Sequence, residues 1–184
     1  MIHLLGIEVA PEELGRLGVR LPEIFHMECR VRPERLDVAF ARDRVRNQYY
    51  STAILQAMQT LAEAGARLLA VTSLDLYVPV LTFVFGEAQL GGSCAVVSMH
   101  RLREEFYGLP AREDLMRERL FKEAVHELGH TFGLRHCDDW RCVMTSSHAV
   151  ERLDVKDVHF CSACGRAVSR DQLYSVGMDQ PSPH

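Results

Sequence analysis

Residues 126–136 read His126-Glu127-Leu128-Gly129-His130-Thr131-Phe132-Gly133-Leu134-Arg135-His136. A helix turns ~100° per residue, so His126 and His130 project ~40° apart, one turn from each other, and can grip one metal ion. Glu127 points ~60° away from His130 and borders the metal without covering it. Phe121, Val125, Leu128 and Phe132 form the opposite stripe, which is expected to pack on a core. Gly133 stands where glycine ends a helix in the left-handed conformation. The chain can then turn sharply and bring His136 under the metal.

Three neutral imidazoles leave the fourth corner of a tetrahedron for water, as an open zinc site requires. Zinc lowers the pKa of its bound water from ~15.7 towards ~7. Glu127 is placed to take that proton and later to hand it to a leaving amine. The pattern therefore predicts zinc-dependent hydrolysis of an amide bond. A rival third ligand is Glu151, since some enzymes with this helix take a glutamate about that far downstream. The Gly133 and His136 spacing already solves the geometry.

Four cysteines crowd the chain beyond this helix. Cys137 directly follows His136, Cys142 comes next, and Cys161-Ser162-Ala163-Cys164 forms a close pair. Two close pairs separated by a loop make a four-thiolate zinc site, closed to water and structural. Such a metal would pin the loop from Cys137 to Cys164, and its binding would count as folding free energy there. It would also brace the histidine site through the Cys137–His136 bond. The expected complement is thus two zinc ions per chain, one catalytic and one structural. His159 is a substitute ligand to be weighed. His148 and His100 read as surface or core histidines, and Cys29 and Cys94 as buried free thiols.

The chain has 184 residues, 47% apolar and 25% charged, which is one ordinary globular domain. Its formal charge of −4 is small and argues against nucleic acid or a membrane surface as partner. The opening MIHLLGIEVAPEELGR is broken by Glu8, Pro11, Glu12 and Glu13, and reads as a buried strand rather than a leader. The most apolar later stretch, Leu68 to Phe85, contains Asp75 and Pro79 and makes a poor membrane span, so a cytoplasmic location is expected, where cysteines serve metal binding rather than disulfides.

The first half reads as alternating strands and helices around a mixed sheet, an α/β or α+β pattern. Strands are expected at Ile2 to Val9, Phe25 to Val31, Leu36 to Phe40, Leu68 to Thr72, Leu81 to Phe85 and Cys94 to Met99. The last two are divided by a turn at Gly91-Gly92. Gln48 to Ala64 reads as a helix, ended by Gly65, with Ile54, Leu55, Met58, Leu61 and Ala62 on one face. Glu113 to Phe132 reads as one long helix. Beyond Gly133 the chain is loop-rich. One domain is therefore expected, with an upper subdomain 1–133, a lower subdomain 134–184 and a cleft between them.

Met144 follows Cys142 by two residues. The long zinc motif with a methionine turn after it is the metzincin signature. Together with Cys137, Cys142 and the downstream Cys161-x-x-Cys164, it makes residues 123–165 resemble the archaemetzincin family. The resemblance implies a metzincin-like fold, a mixed twisted sheet with helices over a zinc cleft. It implies His126, His130 and His136 as catalytic ligands, Glu127 as general base and Met144 as a hydrophobic floor. It implies the second zinc on Cys137, Cys142, Cys161 and Cys164. The implied activity is that of an aminopeptidase or a narrow endopeptidase acting on a peptide or protein. The segment Thr145-Ser146-Ser147-His148 carries no tyrosine, where many metzincins have one. An edge strand above the cleft, where substrate adds as another strand, is sought in Leu90 to Met99. Two other functions compete: a non-catalytic zinc-stabilised peptide-binding module, against which the intact Glu127 argues, and an amidase for a small molecule.

Overall fold

A computed structural model describes residues 1–176. Strands β1 (Ile2–Ile7), β2 (Cys29–Val31), β5 (Arg67–Thr72), β7 (Gly86–Ala88) and β8 (Cys94–Ser98) form one sheet in the order β2-β1-β5-β8-β7. The first four in space run parallel, and β7 closes one edge antiparallel to β8. A smaller sheet is built from β3 (Arg42–Asp43), β4 (Gln48–Tyr50) and β6 (Leu76–Tyr77). The helices are α1 (Pro11–Phe25), α2 (Ser51–Met58), α3 (Glu113–Thr131), α4 (Val150–Val155) and α5 (Ser162–Val176).

Strand alternation sends the central side chains to opposite faces. Ile2, Leu4, Leu69, Val71, Ala95 and Val97 join α1 and α3 in one buried cluster. Leu5, Ile7, Leu68, Ala70, Cys94 and Val96 join α2 in the other. Both faces of the parallel strands are thus covered, which is why β5 and β8 read as unbroken apolar runs. Helix α3 lies across β7 and β8. Its back, Phe121, Val125, Leu128 and Phe132, is buried as the stripe predicts.

Several expected boundaries shift. The strand expected from Phe25 to Val31 is only Cys29–Val31, because Phe25 is the last turn of α1. Helix α1 itself was not expected. It starts with Pro11 at a position that has no hydrogen bond to lose, and it buries Leu14, Leu17, Leu21 and Phe25 along one side. Leu36 to Phe40 is irregular and leads into a short 3-10 turn, Ala39–Ala41. The helix expected from Gln48 is shorter. Gln48–Tyr50 is instead β4, drawn into the small sheet by Leu76–Tyr77, and a 3-10 turn, Gln59–Leu61, ends the helical stretch. Gly65 then takes φ +75°.

Leu81 to Phe85 is not a strand apart from a bridge between Val84 and Leu76; the pairing with β8 begins at Gly86. Cys94–Ser98 is central, between β5 and β7, so the edge of the sheet is β7 and not the Leu90 to Met99 segment. The region after Gly133 holds two helices where loops were expected. Val143, Met144, Val150, Leu153 and Val168 from it belong to the same core as α3. Among the described residues no helix is long and apolar enough to cross a membrane.

Phe121 is buried, with the Arg20 guanidinium 3.7 Å from its ring centre. Phe121→Ala is expected to cost about 3–5 kcal/mol of stability, read by denaturant unfolding.

Candidate metal centres and the cleft between them and the sheet

The last turn of α3 is closed by a paired motif. Gly133 N–H donates to the His130 carbonyl at 2.9 Å and Leu134 N–H to the Gly129 carbonyl at 3.2 Å. This needs a left-handed residue after the helix, and Gly133 supplies it with φ +80°. The reversal returns the chain so that His136 meets the helix. Its ring centre lies 5.4 Å from that of His126 and 5.1 Å from that of His130.

The two helical imidazoles are oriented by backbone carbonyls. His126 Nδ1 is 2.8 Å from the Val143 carbonyl oxygen, and His130 Nδ1 is 2.7 Å from the Leu134 carbonyl oxygen. A carbonyl can only accept, so each Nδ1 carries the ring proton and each Nε2 presents a lone pair. Those two Nε2 atoms stand 3.1 Å apart. Two lone pairs at that distance repel unless a cation lies between them. Nitrogens bound tetrahedrally at ~2.05 Å to one zinc would be ~3.3 Å apart, close to this separation. One ligand nitrogen from each of His126, His130 and His136 falls within 4.8 Å of the others. Burial lowers the pKa of all three, most strongly for His126, where nearby Lys156 adds to the effect. Neutral imidazole is the form that binds metal.

The sulfurs of Cys137, Cys142, Cys161 and Cys164 make a second cluster, also within 4.8 Å of one another. Cys137 Sγ and Cys161 Sγ are 3.9 Å apart, and ligands bound tetrahedrally at ~2.3 Å would be ~3.8 Å apart. Cys161 precedes α5, and the Cys164 amide N–H holds its thiol down to about 7. Burial raises the thiols of Cys142 and Cys164. These are the only two such donor groups among the described residues. Glu151 and His159 are exposed and belong to neither.

The loop that carries the cysteines also carries the supports of the histidines. Cys137 N–H donates to the Met144 carbonyl at 3.0 Å, and Val143 N–H to the His159 carbonyl at 3.0 Å. Met144 is fully buried against Gly129, where a Cβ would come within 2.5 Å of Met144 Sδ.

A cleft of about 290 Å³ opens between this floor and the sheet edge, with Phe85 and Gly86 above and Glu123, His126, Glu127 and His136 below. Ser146, Ser147 and the exposed His148 also border it. The Glu127 carboxyl is pushed well up, by burial first and then by the charge of Glu123. It packs against Gly86, where a Cβ would lie 2.6 Å from Glu127 Cγ and 2.7 Å from the Val96 carbonyl oxygen. Sequence reasoning passed over Gly86, Gly129, Glu123 and Lys156. Gly129 had a visible signal, because a glycine inside a helix costs ~1 kcal/mol against alanine and needs a packing reason.

This α/β fold, with a histidine triad and a carboxylate in one cleft, is the make-up of a zinc-dependent peptidase. Residues 32–170 match peptidase family M54. The archaemetzincin of Methanocaldococcus jannaschii is 40% identical over 168 residues, 91% of each chain. That of Archaeoglobus fulgidus is 39% identical over 168 residues, covering 91% of this chain and 98% of its own. The crystal structure of the Methanopyrus kandleri archaemetzincin superposes with a TM-score of 0.81 at 35% identity, over 92% of this chain and 93% of that one. A zinc-dependent peptidase from Methanocorpusculum labreanum gives 0.84 at 30% identity, over 91% and 100%. The chain belongs to the archaemetzincins of peptidase family M54, and it is a zinc metallopeptidase.

Gly86→Ala is expected to destabilise the fold by about 1–3 kcal/mol through the Val96 contact. By displacing Glu127 it should also lower peptide turnover about a hundredfold at unchanged zinc content. Parental turnover in that variant would show that Gly86 does not set the position of Glu127.

Proposed function

We propose that His126, His130 and His136 hold the catalytic zinc and that Cys137, Cys142, Cys161 and Cys164 hold a second, structural zinc, so that each chain carries two. The observation that carries this reading is the pair of bare Nε2 atoms, each fixed by a carbonyl on the far side of its ring. Zinc on the three histidines would supply Lewis acidity, activating a water molecule and polarising the substrate carbonyl.

Glu127 is the general base. It takes a proton from the attacking water and returns it to the nitrogen of the leaving amine. Its buried position beside Gly86 keeps the carboxylate in one place and keeps bulk water from it. Met144 lies beneath the histidines as an apolar floor, and Gly133 sets the turn that delivers His136. The cleft separates an upper part, 1–133, from a lower part of one metzincin-type catalytic domain; the lower part is described from 134 to 176, and the last eight residues of the expected 134–184 lie outside the described residues.

The substrate is a peptide or protein chain. It lies along β7, the sheet edge above the cleft, as an added strand. Cleavage follows either from the chain end, as an aminopeptidase, or within it, as a narrow endopeptidase. The small net charge of −4 argues against nucleic acid or an anionic membrane as the main partner, and four thiolate ligands suit the reducing cytoplasm.

The test uses zinc-loaded protein, a mixed peptide library and mass spectrometry, with Glu127→Gln in parallel. The variant is expected to lose about 10²–10⁴-fold in turnover, and the products show whether ends or interiors are cut. Equal cleavage by both proteins would remove Glu127 from the mechanism. In a separate zinc count, His136→Ala is expected to leave one zinc per chain and Glu151→Ala two. The reverse would make Glu151 the third ligand.

A further inference from the structure

The floor of the cleft holds a second buried carboxylate. Glu123 precedes Glu127 by one turn of α3, which places their β-carbons ~5–6 Å apart. It is 4% exposed. Lys156, 2% exposed, donates from Nζ to Glu123 Oε1 at 3.1 Å and to the Thr145 carbonyl at 3.3 Å. Taking both ions out of water is costly, and only good geometry and further hydrogen bonds offset that cost.

Docking α4 onto α3 does not require this pair. Arg119 already binds Asp154 through two bonds of 2.7 Å and Glu104 at 2.6 Å. Lys122 Nζ already donates to the Leu153 carbonyl at 2.7 Å. Lys156 reaches past both to the turn that supports the metal site. The path is short. Lys156 holds the Thr145 carbonyl, Thr145 follows Met144 and Val143, and the Val143 carbonyl accepts the Nδ1 proton of His126. On its other side the same turn is held by main-chain bonds, Val143 N–H to His159 at 3.0 Å and Asp157 N–H to Arg141 at 2.7 Å.

We propose that Lys156 is a positioning residue for the histidine metal site: by clamping the Thr145 carbonyl to Glu123 of α3, it fixes the Val143 carbonyl that aims His126. The proposal rests on the reading that the histidines hold zinc. Partners that orient a ligand histidine typically contribute 10–100-fold in metal affinity, so the effect is measurable without any substrate.

The experiment titrates zinc-loaded protein with a competing chelator. The thiolate site is followed separately by the sulfur-to-metal absorption of cobalt-substituted protein. Lys156→Met should weaken the histidine site ~10–100-fold and leave the thiolate site unchanged. Lys156→Arg, which keeps charge and donors, should restore most of the loss. The double variant Glu123→Leu with Lys156→Met removes the unpaired charge but not the missing clamp. It should recover thermal stability and remain weak at the histidine site. Recovery of zinc affinity in the double variant would overturn the proposal, since the effect would then be one of charge burial alone. So would equal weakening at both sites, or parental affinity in Lys156→Met. If Lys156→Met does not fold, the double variant and Lys156→Arg still decide in the same way. A parent protein with no zinc on the histidines would instead sink the underlying reading.

Discussion

Two bare imidazole nitrogens 3.1 Å apart are tolerable only with a cation between them. Most of the architecture around the cleft follows from holding them there. Each ring is turned by a carbonyl, and both carbonyls lie outside α3. Leu134 comes from the reversal after Gly133, and Val143 from the loop between the cysteines. Without the left-handed Gly133 the first carbonyl is misplaced, and without the cysteine loop the second is. The β7–β8 hairpin adds a tie from above, with Gly91 N–H donating to the His130 carbonyl at 2.9 Å.

The two donor clusters are mechanically one unit. Cys137 is bonded to His136, and Cys142 is bonded to Val143. A metal on the four sulfurs would stiffen the peptide segments that present two of the three histidines. The loop does not rely on metal alone, since Val143, Met144 and Leu153 reach the main core. Metal binding there adds folding free energy to a segment that is already partly packed.

The fold class and the clustering of the candidate ligands were legible in the sequence, while strand order and element boundaries were less so. The histidines and Glu127 lie within one helix and its exit turn, so spacing alone places them. The cysteines show themselves by pair spacing. What escaped depends on contacts between distant segments. Gly86 matters because β7 crosses Glu127, and nothing local marks that crossing. Glu123 and Lys156 look like surface charges until α4 buries them. The apolar run Leu81 to Phe85 resembles a strand, yet it forms the upper wall of the cleft. Strand order is also non-local, so Leu90 to Met99 could not be told from an edge by its residues. Helix α1 was readable in principle, from Pro11 and the Leu14, Leu17, Leu21 and Phe25 spacing. Pro22 and the glycines within it obscured the pattern.

The most direct measurement is X-ray absorption at the zinc edge, taken on purified protein with the metal counted per chain. The account predicts two zinc ions per chain and two distances to first neighbours, nitrogen or oxygen at ~2.0–2.1 Å and sulfur at ~2.3 Å. A single zinc with a purely sulfur environment would contradict it, because the histidine triad would then not be the metal site on which the peptidase chemistry is built.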